Sequence, residues 1–273
     1  MRSRRVARAI LIVTLRRLAL AAIAALVLLP VLWTVRTSLA PARDMRLLPT
    51  LTLEHYRFLL GQPAFYTYVR NSLAVTAATV VIVLVLSLLA GYALAKLRFP
   101  GRRLGILFLL VPLIPPLALL VPLISYLYQA GLFNTLAGLI VLNSVFNLPF
   151  AVWMTRGFVL AVPDEVEEAA MIDGASRAGI VVRIVLPLTT TGLVAVGTYV
   201  FIQTWNNYIY AFAIISSPSQ RVVPMGILAS LGAWGTQWGP LTAFGILGVL
   251  PPIVLLVLGR RAFISGFVGS AGR

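Results

Sequence analysis

Six long apolar stretches, at about Leu18–Leu39, Asn71–Ala95, Leu104–Tyr128, Leu136–Thr155, Gly192–Ile215 and Thr242–Leu258, decide what this chain can become. Each approaches the ~20 residues that a helix needs to cross the hydrocarbon core of a bilayer. No water is available there to pair free N–H and C=O groups, so such a segment must be helical. The fold class that follows is all-α: a polytopic membrane protein with six transmembrane helices. Composition agrees, since 60% of the 273 residues are hydrophobic and only 11% are charged, far from soluble domains.

The first stretch follows Arg2, Arg4, Arg5, Arg8, Arg16 and Arg17. A basic head, an apolar run and the small residues of Ala40-Pro41-Ala42 also describe a secretory signal peptide, so two readings stand. The run is long for a signal peptide and Arg36 interrupts the approach to the cleavage-like site, which favours a retained span. Pro41 to Arg70 reads as an extracytoplasmic loop with His55 as a solvated side chain. The third stretch contains Pro112, Pro115, Pro116 and Pro122, and is predicted to kink or break. Ser216 to Leu241 reads as an irregular outer loop, and Pro251-Pro252 breaks the sixth stretch.

The net charge of +15 does not point to nucleic acid, because the bases flank apolar stretches and form no stripe with stacking aromatics. They act as topology signals. With the N-terminus inside, the inner segments hold sixteen Lys and Arg, among them Lys96, Arg98, Arg102 and Arg103, and the outer segments six. That asymmetry places both termini in the cytoplasm. Cysteine is absent, so disulfides and thiolate metal sites are excluded.

One long polar segment interrupts the apolar pattern. Pro163 is suited to open a helix whose first turns hold Asp164, Glu165, Glu167 and Glu168, where carboxylates face unpaired N–H groups and the positive end of the dipole. Ala169 and Ala170 carry almost no side chain, so another surface can approach closely. Asp173 is suited to cap a second helix, with Gly174 relieving strain at the corner. That second helix is expected to end before Pro187. Five of the seven acidic residues fall between Asp164 and Asp173, a patch suited to a basic surface on a partner.

The spacing of this segment, Glu168-Ala169-Ala170, then Gly174, then Ile184, Leu186 and Pro187, resembles the signature loop of membrane subunits in binding-protein-dependent ATP-binding-cassette importers. Asn71-Ser72, Ala90 to Ala95 with Arg98-Phe99, Pro149-Phe150 with Trp153, Asp173-Gly174-Ala175, Trp205-Asn206 and Arg261 to Gly266 are similar to its maltose-type, carbohydrate-importing branch. Two departures stand: Asn207 replaces a frequent acidic residue, and Gly269 to Arg273 lacks the usual lysine. The resemblance implies a cytoplasmic basic segment at 1–17 and a permease domain at 18–273, with a core of about 65–265 and a coupling loop at 157–190. It assigns ATPase coupling to Glu167, Glu168, Ala169, Ala170, Asp173, Gly174, Ile184, Leu186 and Pro187. Glu168 is expected to pair with a basic residue in the ATPase cleft. The implied partners are a second, similar permease subunit in a heterodimer, two ATPase subunits that carry ATP and magnesium, and an extracytoplasmic solute-binding protein. This chain itself would hold no cofactor or metal and sit in a bacterial inner membrane.

Tyr199, Gln203, Asn206 and Tyr210 recur at helical spacing, with Trp205 and Asn207 beside them, and Asn143 and Asn147 stand one turn apart. Amides that bond hydroxyls and rings that pack on a pyranose are what a sugar path uses. The same side chains also serve as glue between helices. No charged residue falls within the core of any proposed span, which favours a neutral solute and disfavours an ion-coupled carrier. Importers of a polyol, glycerol phosphate or a peptide remain alternatives. The phosphate-loop, H-E-x-x-H and G-x-S-x-G patterns are all missing, so no enzyme is expected.

Overall fold

The computed structural model describes residues 2–41, 50–102, 105, 108–233 and 238–271, with side chains for most positions from 13 to 258. Arg43, Arg46, Arg103, Leu104 and Arg273 lie outside the described residues, as do the side chains of Arg2, Arg4, Arg5, Arg8, Arg260 and Arg261. Every regular element described is helical. Among the described residues, five helices are long and apolar enough to cross a membrane: Val13–Leu39, Pro63–Lys96, Leu136–Leu160, Arg177–Trp205 and Trp238–Leu258. The third apolar stretch is divided, as its prolines predict, into a 3-10 turn at Phe108–Leu113 and a shorter helix at Pro116–Gln129.

Two compact units form, Met1–Gln62 with Ala229–Leu247 and Pro63–Leu228 with Gly248–Arg273. In the first, α1 is Arg2–Leu39 and α2 is Glu54–Leu60. Thr52 N–H donates to the Leu39 carbonyl at 2.8 Å, closing the connection between them. The expected solvated position of His55 is corrected. The ring is buried on α2, and its Nε2 lies 2.9 Å from the Ala40 carbonyl, the partner that a buried imidazole requires. Gly239 makes room for it, since a Cβ there would fall within 3 Å of the ring.

In the second unit, α3 (Pro63–Lys96) packs along α5 (Leu136–Leu160), and both pack against α7 (Arg177–Trp205). Small residues set the closeness. A Cβ on Gly91 would stand 3.0 Å from the Arg156 backbone nitrogen, and one on Gly192 would stand 2.3 Å from the Phe158 ring. Between lipid tails there is little hydrophobic drive for helices to associate, so contacts of this kind, with Thr155 donating to Ser87 at 3.3 Å, hold the bundle. The remaining elements are α4 (Pro116–Gln129), α6 (Asp164–Ile172), α8 (Ile209–Ile214), α9 (Val223–Ala233) and α10 (Trp238–Ala271).

Four expectations about element boundaries are corrected. The helix of the second span begins at Pro63 and not at Asn71, whose buried side chain donates to the carbonyls of Ser219 and Arg221 at 2.9 Å each. The stretch expected as an irregular outer loop carries a 3-10 turn at Pro218–Gln220 and then α9, whose Val223 N–H donates to Ser72 Oγ at 2.8 Å. The fifth stretch is not one helix to Ile215. Asn206 Nδ2 donates back to the Ile202 carbonyl and Asn207 Oδ1 accepts from Tyr210 N–H, so side chains compete with the backbone ladder and divide α7 from α8.

The fourth correction concerns Pro251-Pro252, through which α10 continues unbroken. Pro252 lacks the N–H that would reach the Gly248 carbonyl four residues back. Trp205 supplies it instead: its buried indole N–H donates to that carbonyl at 2.9 Å. Replacing Trp205→Phe is expected to cost about 1–3 kcal/mol of stability by orphaning a buried carbonyl. Pro252→Ala in the same chain should recover most of it, because an N–H returns at 252. Thermal midpoints of the purified protein check both. Gly192→Val should lower the midpoint by overpacking against Phe158, by about 1–3 kcal/mol, with partial rescue by Phe158→Ala.

Candidate functional site

The polar segment between α5 and α7 folds as the acidic first turn predicts. Pro163 is extended at the N-cap, with φ −60° and ψ 139°, and Asp164, Glu165 and Glu167 follow in the first turn of α6. The helix ends in a left-handed corner at Gly174, φ +81°. Ala175 N–H donates to the Ala170 carbonyl at 2.9 Å and Gly174 N–H to the Met171 carbonyl at 3.1 Å, the paired bonds of a Schellman termination. Asp173 therefore closes α6 and does not cap the next helix, which corrects the expectation. That role belongs to Ser176, whose Oγ accepts from Gly179 N–H at 3.2 Å. The corner needs its left-handed glycine and one further residue before a new helix can start.

The expected stop before Pro187 is also corrected, since α7 runs through it. Val181–Val185 adopt a π turn, in which Leu186 N–H reaches the Val181 carbonyl five residues back. The wider turn relaxes the register just where the proline ring would clash with a carbonyl and where its N–H is missing.

α6 has two unlike faces. Glu165, Glu168, Ala169 and Ile172 are exposed, Ile172 at 87%, and fall on one side at helical spacing. On the other side Glu167 is buried and Ala170 is half-buried against a cluster that includes Ile180, Val181 and Val185. Tyr92 hydroxyl donates to Glu167 Oε2 at 3.0 Å, and Lys96 Nζ forms an ion pair with Glu167 Oε1 at 3.2 Å. Lys96 also donates to the Val162 carbonyl at 2.7 Å and to the Asp164 carboxylate. Of the expected coupling residues, Glu168 and Ala169 thus look outward while Glu167 and Ala170 are held inward. Ile184, Leu186 and Pro187 stand on α7, Ile184 half-buried and the other two exposed.

Tyr92, Lys96 and Ser176 were absent from the sequence-based set. Tyr92 and Lys96 share a face four residues apart, yet nothing local ties that face to a helix some seventy positions on. Ser176 was legible in principle, as a serine three residues before a glycine at a helix start.

The expected solute-path residues divide in the same way. Asn143 and Asn147 are buried, and their amides donate to the carbonyls one turn back, Leu139 and Asn143, at 2.8 Å each. Tyr210 is buried and stacked on Phe146 with centroids 4.6 Å apart, and Trp205 is engaged with Gly248. The two amides close on their own helix, α5, while Tyr210 and Trp205 bind neighbouring helices together. Tyr199 is half-buried against Phe150, at 4.5 Å. Gln203 and Asn206 are exposed and Asn207 half-buried, clustered where α7 ends. The four-residue face once expected from Tyr199 to Tyr210 is interrupted by that ending.

Known proteins agree with this architecture. The family described as "Binding-protein-dependent transport system inner membrane component" matches residues 84–266. The chain is 35% identical over 248 residues to the inner membrane ABC transporter permease protein YcjP of Escherichia coli (strain K12), covering 88% of this chain and 89% of that one. It is 33% identical over 249 residues to the diacetylchitobiose uptake system permease protein DasC of Streptomyces coelicolor, covering 89% and 90%. Among solved structures it resembles a chain of a bacterial ABC transporter involved in the import of the acidic polysaccharide alginate, with a TM-score of 0.77 at 20% identity over 91% of this chain and 95% of that one. A multi-pass helical chain with a short anchored helix between two spans, matched over two thirds of its length, belongs to the family of binding-protein-dependent transport system inner membrane components.

Proposed function

We infer that this permease carries a sugar, delivered by an extracytoplasmic solute-binding protein, and that α6 is the helix on which an ATPase subunit docks. The observation that carries the docking assignment is the outward face of α6: Glu168 and Ala169 beside a fully offered Ile172, on a helix fixed from behind. An exposed carboxylate and isoleucine flanking a residue with almost no side chain suit a cleft that is basic at one edge and apolar at its floor. Both termini then lie in the cytoplasm, in keeping with the Lys and Arg asymmetry.

ATP binding on two partner ATPase subunits would draw this helix and its counterpart on a second, similar permease together. The spans would follow, exposing the central path to the binding protein, and hydrolysis would reset it. ATP and magnesium stay on the partners. The sugar assignment is supported by the similarity to the diacetylchitobiose permease and by the neutral amides and rings where α7 ends. Gln203, Asn206 and Asn207 are its strongest contacts, because their side chains are not buried in the bundle.

Ala169→Trp should block docking. ATP-driven uptake in proteoliposomes carrying the whole complex is expected to fall by about tenfold or more, with loss of ATPase co-purification, the scale of a central interface residue. Unchanged uptake and assembly would remove α6 from the docking surface. Gln203→Ala and Asn206→Ala should each lower sugar uptake several-fold while leaving complex yield and ATP hydrolysis at the unsubstituted level. Equal uptake in all three proteins would assign these amides to lipid or to a neighbouring chain.

A further inference from the structure

We propose that Lys96 and Tyr92 are positioning residues for transport: they fasten α6 to the end of α3, making α3 a strut that carries displacement of α6 to the 218–223 turn at the far end of the bundle. The inference rests on the reading of α6 as the ATPase-facing helix. Its test is chosen so that the two can fail separately.

Both covalent exits from α6 are turns. One passes through Ala161 to Pro163, the other through Gly174 in the left-handed region and then through the π turn of α7. Turns absorb displacement by changing a few dihedrals, so a push on α6 would dissipate there if the chain were the only route. The side-chain route is stiffer. Lys96 reaches the turn before α6 at Val162, its first turn at Asp164 and its middle at Glu167, and Tyr92 adds a second bond to Glu167. The Lys96 side chain is 10% exposed and that of Glu167 8%.

A buried ion pair is a poor way to gain stability, since apolar residues of the same size often hold as well. What it gives is one geometry. Glu167 sits on its partners and cannot slide without leaving a buried charge uncompensated.

The strut is closed at both ends. Arg102 donates to the last-turn carbonyls Leu94 and Ala95, at 3.1 and 3.2 Å, so the α6 end of α3 does not fray. Near the other end, Asn71 holds the carbonyls of Ser219 and Arg221, and Ser72 holds Val223 N–H. Between Asn71 and Lys96 the helix contains no proline and spans about 38 Å at the helical rise.

The chain has no cysteine, so labels can be placed by substitution alone. Val166→Cys on α6 and Ser219→Cys on the distal turn are spin-labelled in the assembled transporter, with its ATPase subunits in lipid. Their separation is measured without nucleotide and after trapping with ATP, magnesium and vanadate. With Lys96 intact the separation is expected to stay constant, because both ends travel with α3. In Lys96→Met it should shift by about 2 Å or more on trapping, the scale of a helix slipping against its neighbour. Lys96→Met with Glu167→Gln removes both charges, leaves no lone buried ion, and decides the matter if the single variant fails to assemble. Tyr92→Phe should shift the separation less.

A separation that changes equally with and without Lys96, or that stays constant in every variant, overturns the strut. Failure of the docking assignment shows separately, as Ala169→Trp complexes that still retain their ATPase.

Discussion

Within a bilayer core every backbone N–H and C=O must find a partner inside the protein, and this structure is ordered by where that rule is strained. Regular helix meets it without help. At Pro252 it fails by one carbonyl, and Trp205 from α7 supplies the missing donor. At Pro187 the helix meets it by widening a turn. At Asn206 and Asn207 side-chain amides take over the ladder and end the helix. Two of these three places lie near the sites offered for function, because backbone that departs from the α-helix is where a membrane chain can bend or present polar groups.

The segment between α5 and α7 shows how one short helix serves two surfaces. Its inward side carries a carboxylate that would be costly to bury alone, and the end of α3 answers with a hydroxyl and an ammonium. Its outward side is left with two carboxylates, a methyl group and an isoleucine that no described residue covers. The neighbouring pair Glu167 and Glu168 differ in one respect only, the side of the helix on which each falls. That difference separates a residue held by its own fold from one available to a partner.

Much of this was legible in the sequence because it depends on local chemistry. Five apolar spans, the proline-divided third stretch, the acidic first turn after Pro163 and the left-handed Gly174 follow from propensity, ring geometry and steric freedom, and the described residues have them. The misreadings share a different cause. His55 looked like a loop residue until Ala40 and Gly239 were near it, and Asn71 looked like a span boundary until the 219–221 carbonyls accepted its amide. Asn143, Asn147 and Trp205 were read by residue type as candidate solute contacts, and the fold adds that each also donates to a backbone carbonyl. Polar side chains in apolar sequence announce that a partner exists, and only the fold says which.

The π turn at Val181–Val185 has a geometric consequence for the helix that contains it. A wide turn seats about one more residue per revolution than its flanks do, so the two halves of α7 are indexed separately about a common axis. The half beside α6 keeps Ile180 and Val181 toward the bundle, and the half that crosses between its neighbours keeps Val196 and Val200 there. Excising a single residue at that point would swing one half against the other by about 100°, turning its apolar flank away from the neighbours it packs on while leaving every helix nominally intact.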